Sequence, residues 1–255
     1  MRSSDSDCEL ITIPISHYCE KARWALERAG VSYRERAHLQ ILHWAPVRRA
    51  GGRWTAPVLV RPDGKALPDS AEIIDYADAR APVGRKLFPS DPDEAAEVRG
   101  LASWFDERLG PHGRRWMYHA MRGRRDLATK YAPTGVPGWQ RRALAAGYPV
   151  VARVIDRYLS ITPATAAASE RECRAVFDAV AERLGDGRSH LTGDRFTAAD
   201  LTFAALSAAL LMPPEYGVPL PQPDELPAAM GGAVREWREH PAGAYALRLF
   251  RDERR

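Results

Sequence analysis

A hydroxyl, an imidazole, a phenol and a thiol follow one another in Ser16-His17-Tyr18-Cys19, and Glu20, Lys21 and Arg23 come directly after. The stretch before them, Leu10-Ile11-Thr12-Ile13-Pro14-Ile15, is apolar and largely β-branched and reads as a short buried strand. Behind them Ala22, Ala25, Leu26 and Ala29 recur at helical spacing, and Gly30 supplies a C-terminal stop. Ser16 therefore falls at a helix N-cap, with Cys19 in the first turn. A helix N-terminus presents unpaired N–H groups and about half a positive charge, which favours an anion. As N-cap, Ser16 would accept a hydrogen bond from the N–H of Tyr18 or Cys19 and keep its own O–H free to donate. A donor hydroxyl at a positive helix end can hold a thiolate. The plain alternative is that Ser16 only caps the helix.

The elements that must position this turn come from the surrounding pattern. Residues 9–81 alternate strand and helix. Ser32 to Ala37 alternates as a strand would, Ile41 to Arg49 is a poorly patterned helix or loop, and Ala56 to Val60 is a third strand. Pro62-Asp63-Gly64-Lys65 is a hairpin turn leading into Lys65-Ala66-Leu67, and Asp69-Ser70 caps a helix over Ala71 to Ala81. The order is β-α-β-α-β-β-α. A linker, residues 82–90, leads to a second part, residues 91–255, whose patterns are helical only. Asp91, Pro92 and Glu94 open its first helix as a capping box, and helices follow over Gln140 to Leu159, Glu170 to Leu184, Ala198 to Met212 and Ala233 to Arg251. Thr197 to Asp200 forms another capping box, with Phe196 and Leu201 as its staple, while Met212 to Pro227 is a proline-rich loop.

Composition narrows the class. The 255 residues are 45% hydrophobic and 27% charged, ordinary for a soluble globular protein with room for a proper core. Charges interrupt every apolar stretch, so no membrane span is expected, and the polar opening Met1 to Asp7 does not read as a signal peptide. Cys8, Cys19 and Cys173 are too widely spaced for a disulfide framework or a zinc site, and a reducing cytoplasm is the simplest compartment. The net charge is +4, and the arginine cluster at Arg114-Arg115 and Arg122 to Arg125 carries no nucleic-acid motif, so it reads as a solvated helix face.

Four segments together, in this order, resemble the cytosolic glutathione transferases. Ser16 to Leu26 is similar to the active-site segment of the serine and cysteine classes (tau, zeta, omega), with an arginine seven residues on, as Arg23 is here. Thr55-Ala56-Pro57-Val58-Leu59 resembles that family's cis-proline loop. Asp69-Ser70 with Ile73-Ile74-Asp75-Tyr76 resembles the acidic-Ser pair opening the third helix, and Thr197 to Asp200 the capping box of a buried helix in the second domain. The resemblance implies a thioredoxin-like N-terminal domain over 9–81 and an all-helical C-terminal domain over 91–255. It is sharp over residues 10–80; Gly110 to Tyr148 and the proline-rich loop depart from the family pattern.

The same resemblance implies a site. Ala56, ahead of a cis Pro57, would offer its backbone to glutathione as an added strand. Ser70 would take the γ-glutamyl carboxylate at a helix start and Asp69 the amine. Ser16 would lower the thiol pKa as an electrostatic stabiliser, with Tyr18 and Cys19 as alternatives; Cys19 is expected to be structural or modulatory. His17 is expected to be exposed or next to glutathione. Trp104, Phe105, Arg108, Trp116 and Tyr118 are the candidates for an electrophile pocket, the aromatics having interhelical packing as their other role. The expected activity is glutathione conjugation to a small electrophile, with glutathione as co-substrate, no cofactor or metal, no nucleic-acid partner and a homodimeric state. A non-catalytic binding module and a glutathione-dependent reductase or lyase are the competing functions.

Overall fold

The computed structural model describes residues 8–254, so the expectation for Met1 to Asp7 lies outside the described residues. The strands β1 (Cys8–Thr12), β2 (Tyr33–Ala37), β3 (Val58–Val60) and β4 (Ala66–Leu67) form a 4-stranded sheet in the order β2-β1-β3-β4. β1 runs parallel to β2 and antiparallel to β3, and β3 pairs with β4 through the Asp63-Gly64 turn. Alternation along the strands sorts side chains between two layers. Leu10 and Leu59 join the large core under α1 (His17–Arg28) and α3 (Ser70–Arg80), whereas Ile11 and Val58 meet Val47 of α2 (Trp44–Arg49). The expected β-α-β-α-β-β-α order is the observed one.

Eight further helices follow among the described residues: α4 (Pro92–Arg108), α5 (Gly110–Ala120), α6 (Arg125–Tyr131), α7 (Gly138–Tyr158), α8 (Pro163–Leu184), α9 (Ala198–Leu211), α10 (Ala228–Glu239) and α11 (Pro241–Glu253). Every residue of α9 is buried, and its neighbours are α1, α4, α5, α10 and α11. One hydrophobic core therefore runs through both parts; Trp24 of α1 stacks on Phe196 and meets Phe250. The linker is held at the same seam. The Asp78 carboxylate accepts from the N–H groups of Leu87 (2.5 Å) and Phe88 (3.2 Å), and the Leu87 carbonyl accepts from Ala198 N–H.

Three local expectations need correction. The pattern over Ala233 to Arg251 is two helices, because Pro241 cannot extend α10 but suits the first turn of α11. Asp91 caps α4 by accepting from Asp93 and Glu94 N–H, while Glu94 itself stays exposed and returns no bond. Ser16 does sit at the N-cap of α1, but its hydroxyl makes no cap bond. At α9, by contrast, the buried Asp200 carboxylate accepts from Thr197 N–H (2.7 Å), Thr197 hydroxyl (2.8 Å), Leu191 N–H (2.8 Å) and the Tyr245 hydroxyl.

Candidate active site

The turn before α1 is set from beneath by buried charge. Glu20, Lys21 and Arg23, on the helix whose start carries Ser16, are all enclosed. A buried charge persists only where it is paired. Lys21 meets both oxygens of Asp106 on α4 (2.8 and 2.6 Å). Arg23 bonds Glu20 (3.2 Å) and Glu35 (2.7 Å) and donates to the Pro14 carbonyl (3.1 Å), so it holds the main chain two residues ahead of Ser16. Glu20 also accepts from Arg254 (2.6 Å) and from Gly217 N–H (3.1 Å).

The four reactive residues of the turn differ in their surroundings. Ser16 is half-buried and faces a cleft. Tyr18 donates its proton to the Asp106 carbonyl at 2.8 Å, and burial, with the Asp106 charge, raises its pKa further. Its ring leaves no space at Gly110, where a Cβ would lie 2.0 Å from the Tyr18 oxygen; α5 can begin there only with glycine. Cys19 is fully buried, its sulfur accepts from Ile13 N–H at 3.4 Å, and burial pushes the thiol up to about 11. His17 is 3% exposed, so the expectation of an exposed ring does not hold, and it lines the cleft. Burial, aided by the Arg114 charge, pulls its pKa down to about 3, against a smaller upward pull from the Gly110 carbonyl. The imidazole is neutral.

Two adjoining cavities open over this turn. The smaller, about 840 Å³ with its open mouth, is lined by Ser16, His17, Ala56, Arg114, Tyr118 and Tyr158 among others. The Ala56–Pro57 peptide at its edge is cis. The larger, about 1060 Å³ with its mouth, is walled mainly by Met117, Met121, Leu144, Tyr148, Ile155 and Ala209. Ile15, His17, Gln40, Met117, Tyr118 and Ile155 border both. At this junction the Gln40 amide donates to the Tyr118 hydroxyl at 2.8 Å, leaving the Tyr118 proton free to donate. Buried Gln140 fixes α7 over the sheet by accepting from Leu39 N–H (2.8 Å) and bonding His38 (2.9 Å).

Of the residues named from sequence, Ser16, Ala56 and Tyr118 line the smaller cavity together. Exposed Asp69 and buried Ser70 stand at the start of α3, where Asp69 accepts from Ala71 N–H (2.7 Å); neither borders either cavity. Trp104, Phe105, Arg108 and Trp116 lie elsewhere. Trp104 and Phe105 border a separate depression against α8, Arg108 is exposed and pairs with Glu172 at 3.0 Å, and Trp116 packs edge-on to Trp237 in the core. Packing between helices was their stronger claim, because α4 and α5 turn these side chains towards α8, α9 and α10. Sequence reasoning missed Gln40, Arg114, Met117, Met121, Tyr148 and Ile155. The alternation of Met117 and Met121 one turn apart was a signal available for α5.

Comparison with known proteins agrees with this geometry. A model of the glutathione S-transferase N-terminal domain matches residues 10–86, and one of the C-terminal domain matches residues 163–240. The chain belongs to the glutathione S-transferase family. It is similar to the probable glutathione S-transferase BZ2 of Zea mays, 32% identical over an alignment of 111 residues that covers 38% of this chain and 44% of the maize protein. Among solved structures, this glutathione S-transferase chain resembles one from Ceriporiopsis subvermispora in complex with glutathione: TM-score 0.64, 17% identity, covering 97% of this chain and 98% of that one. A Methylobacillus flagellatus glutathione S-transferase with glutathione bound gives 0.60 at 18% identity, covering 97% and 98%. Beta-etherase LigF from Sphingobium sp. gives 0.58 at 15%, covering 94% and 98%. These likenesses show the shared fold: a mixed sheet with its helices, then a helical part. No helix among the described residues is long and apolar enough to cross a membrane.

Proposed function

We propose that the chain is a glutathione transferase of the serine type, with Ser16 stabilising the thiolate that attacks a small electrophile. The observation that carries this reading is a hydroxyl at the positive end of α1 that makes no cap bond, meets the Cys19 sulfur and opens to a cleft. Tyr18 has already given its proton to a carbonyl, and the Cys19 sulfur is buried and its thiol hard to ionise. Glutathione would lie against Ala56 with its γ-glutamyl carboxylate on the N–H and hydroxyl of Ser70 and its amine towards Asp69. The thiol proton leaves to solvent, the sulfur lone pair forms the new S–C bond, and the leaving group departs with the bonding electrons. The larger apolar cavity would hold the body of the electrophile, and the free Tyr118 proton would meet charge developing at the junction.

Ser16→Ala tests the assignment. The expected result is a fall in kcat/KM with an aryl halide of about tenfold to a thousandfold, with retention on immobilised glutathione largely kept. Unchanged turnover would remove Ser16 from the role. Retention without turnover in the native protein would favour a binding module instead.

A further inference from the structure

Two nitrogen atoms beside the catalytic turn are buried and have no hydrogen-bond partner: His17 Nε2 and Arg114 Nε. Their chemistry is complementary. The Gly110 carbonyl can only accept, so it fixes the proton of the neutral His17 ring on Nδ1. His17 Nε2 is then a bare lone pair. Arg114 Nε always carries hydrogen and can only donate. The guanidinium makes no ion pair among the described residues, and it is near enough to His17 to depress its protonation. Both side chains line the smaller cavity, and His17 also borders the larger one. One buried acceptor and one buried donor in the lining of one cavity match a hydroxyl group: its oxygen accepts from Arg114 and its hydrogen goes to His17.

We propose that the second substrate of this enzyme is a hydroxylated aromatic, read at its hydroxyl by His17 and Arg114 while its ring lies in the larger cavity. This rests on reading that cavity as the electrophile site. The wall suits a flat ring, since Met117 and Met121 offer polarisable sulfur and Tyr148 an aromatic surface. A methyl ether of the same body would fill the cavity equally well but could give no proton to His17. A site that pairs with a substrate hydroxyl discriminates strongly against an analogue lacking it, because its own groups are left unpaired.

The test uses two unreactive probes, 2-naphthol and 2-methoxynaphthalene, titrated calorimetrically into the native protein at a pH where naphthol keeps its proton. Naphthol should bind at least about tenfold tighter. His17→Leu and Arg114→Leu should each bring the pair to within about twofold, and His17→Gln, which keeps an acceptor, should restore part of the preference. Equal affinities in the native protein, binding of neither probe, or a preference that survives His17→Leu would overturn the proposal. So would loss of the preference on saturation with S-methylglutathione, since both groups would then belong to glutathione. Retention on immobilised glutathione, measured separately, tests the parent reading. A hydroxyl preference in a protein that glutathione does not retain would sink the transferase reading and leave this site standing.

Discussion

At the scale of single residues, neighbours in sequence divide into those facing the cleft and those spent on structure, and burial makes the division. The three cysteines are an instance. Cys8, Cys19 and Cys173 are 2%, 0% and 0% exposed, and burial pushes the Cys19 and Cys173 thiols up to about 11 and about 12. None should react with Ellman's reagent in the native protein at about pH 8, and all should react after unfolding; a rapid native thiol would contradict the placement of Cys19. His17 makes a pH prediction. Its pKa is 6.5 in the unfolded chain and about 3 in the folded one, so between those values the unfolded state binds more protons. The contribution is fully present above the upper value and is lost as pH falls towards the lower. Urea unfolding from about pH 7 to about pH 4 should show the native protein losing stability faster than His17→Gln, by at most about 1.4 kcal/mol per pH unit. Parallel curves would mean that His17 is not held neutral.

At the scale of elements, α1 is secured by the end of α11 and the residue after it. Trp24 Nε1 donates to the Glu253 carbonyl at 3.2 Å, Arg28 pairs with Glu253 at 2.8 Å, and Arg254 reaches Glu20 and Glu27. Arg254→Met should therefore cost about 2 to 4 kcal/mol in urea unfolding, because it strips a partner from the fully buried Glu20 carboxylate. A loss under about 0.5 kcal/mol would show that Arg23 and Gly217 N–H suffice. The sheet and its helices were legible in sequence because strand alternation, the Asp-Gly turn and the Asp69 cap are local signals. So was Ser16, whose position follows from the helix start alone. What was not legible depends on distant partners. His17 read as exposed or next to glutathione, and its burial was not legible because the carbonyl and charge that surround it arrive with Gly110 and Arg114. α5 lies in the segment Gly110 to Tyr148 that departs from the family pattern, and its opening glycine leaves room for the Tyr18 ring. Trp104 and Trp116 had the right chemistry for a pocket, but nothing local indicated which way α4 and α5 face.

At the scale of the molecule, one core spans the sheet and the helices, and the cavities lie between the two parts, with the start of α1 and the loop at Thr55 and Ala56 on one side and α5 and α7 on the other. Relative movement of the parts would open the core as well as the cleft, so unfolding should follow a single cooperative transition by fluorescence and circular dichroism alike. We also expect a two-fold symmetric dimer, as the family resemblance implied and as such assemblies are the commonest. Sedimentation equilibrium at micromolar concentration should give twice the mass of one chain; a monomer at that concentration would remove the dimer from the proposal.

The link between Glu20 and Arg254 spans 234 positions. During translation Glu20 and Lys21 therefore leave the ribosome long before Arg254 and Asp106 exist to meet them. Until then these charges keep their water, and the turn bearing Ser16 cannot settle into its buried frame. The turn bearing Ser16 is thus synthesised well before the arginine that completes its frame.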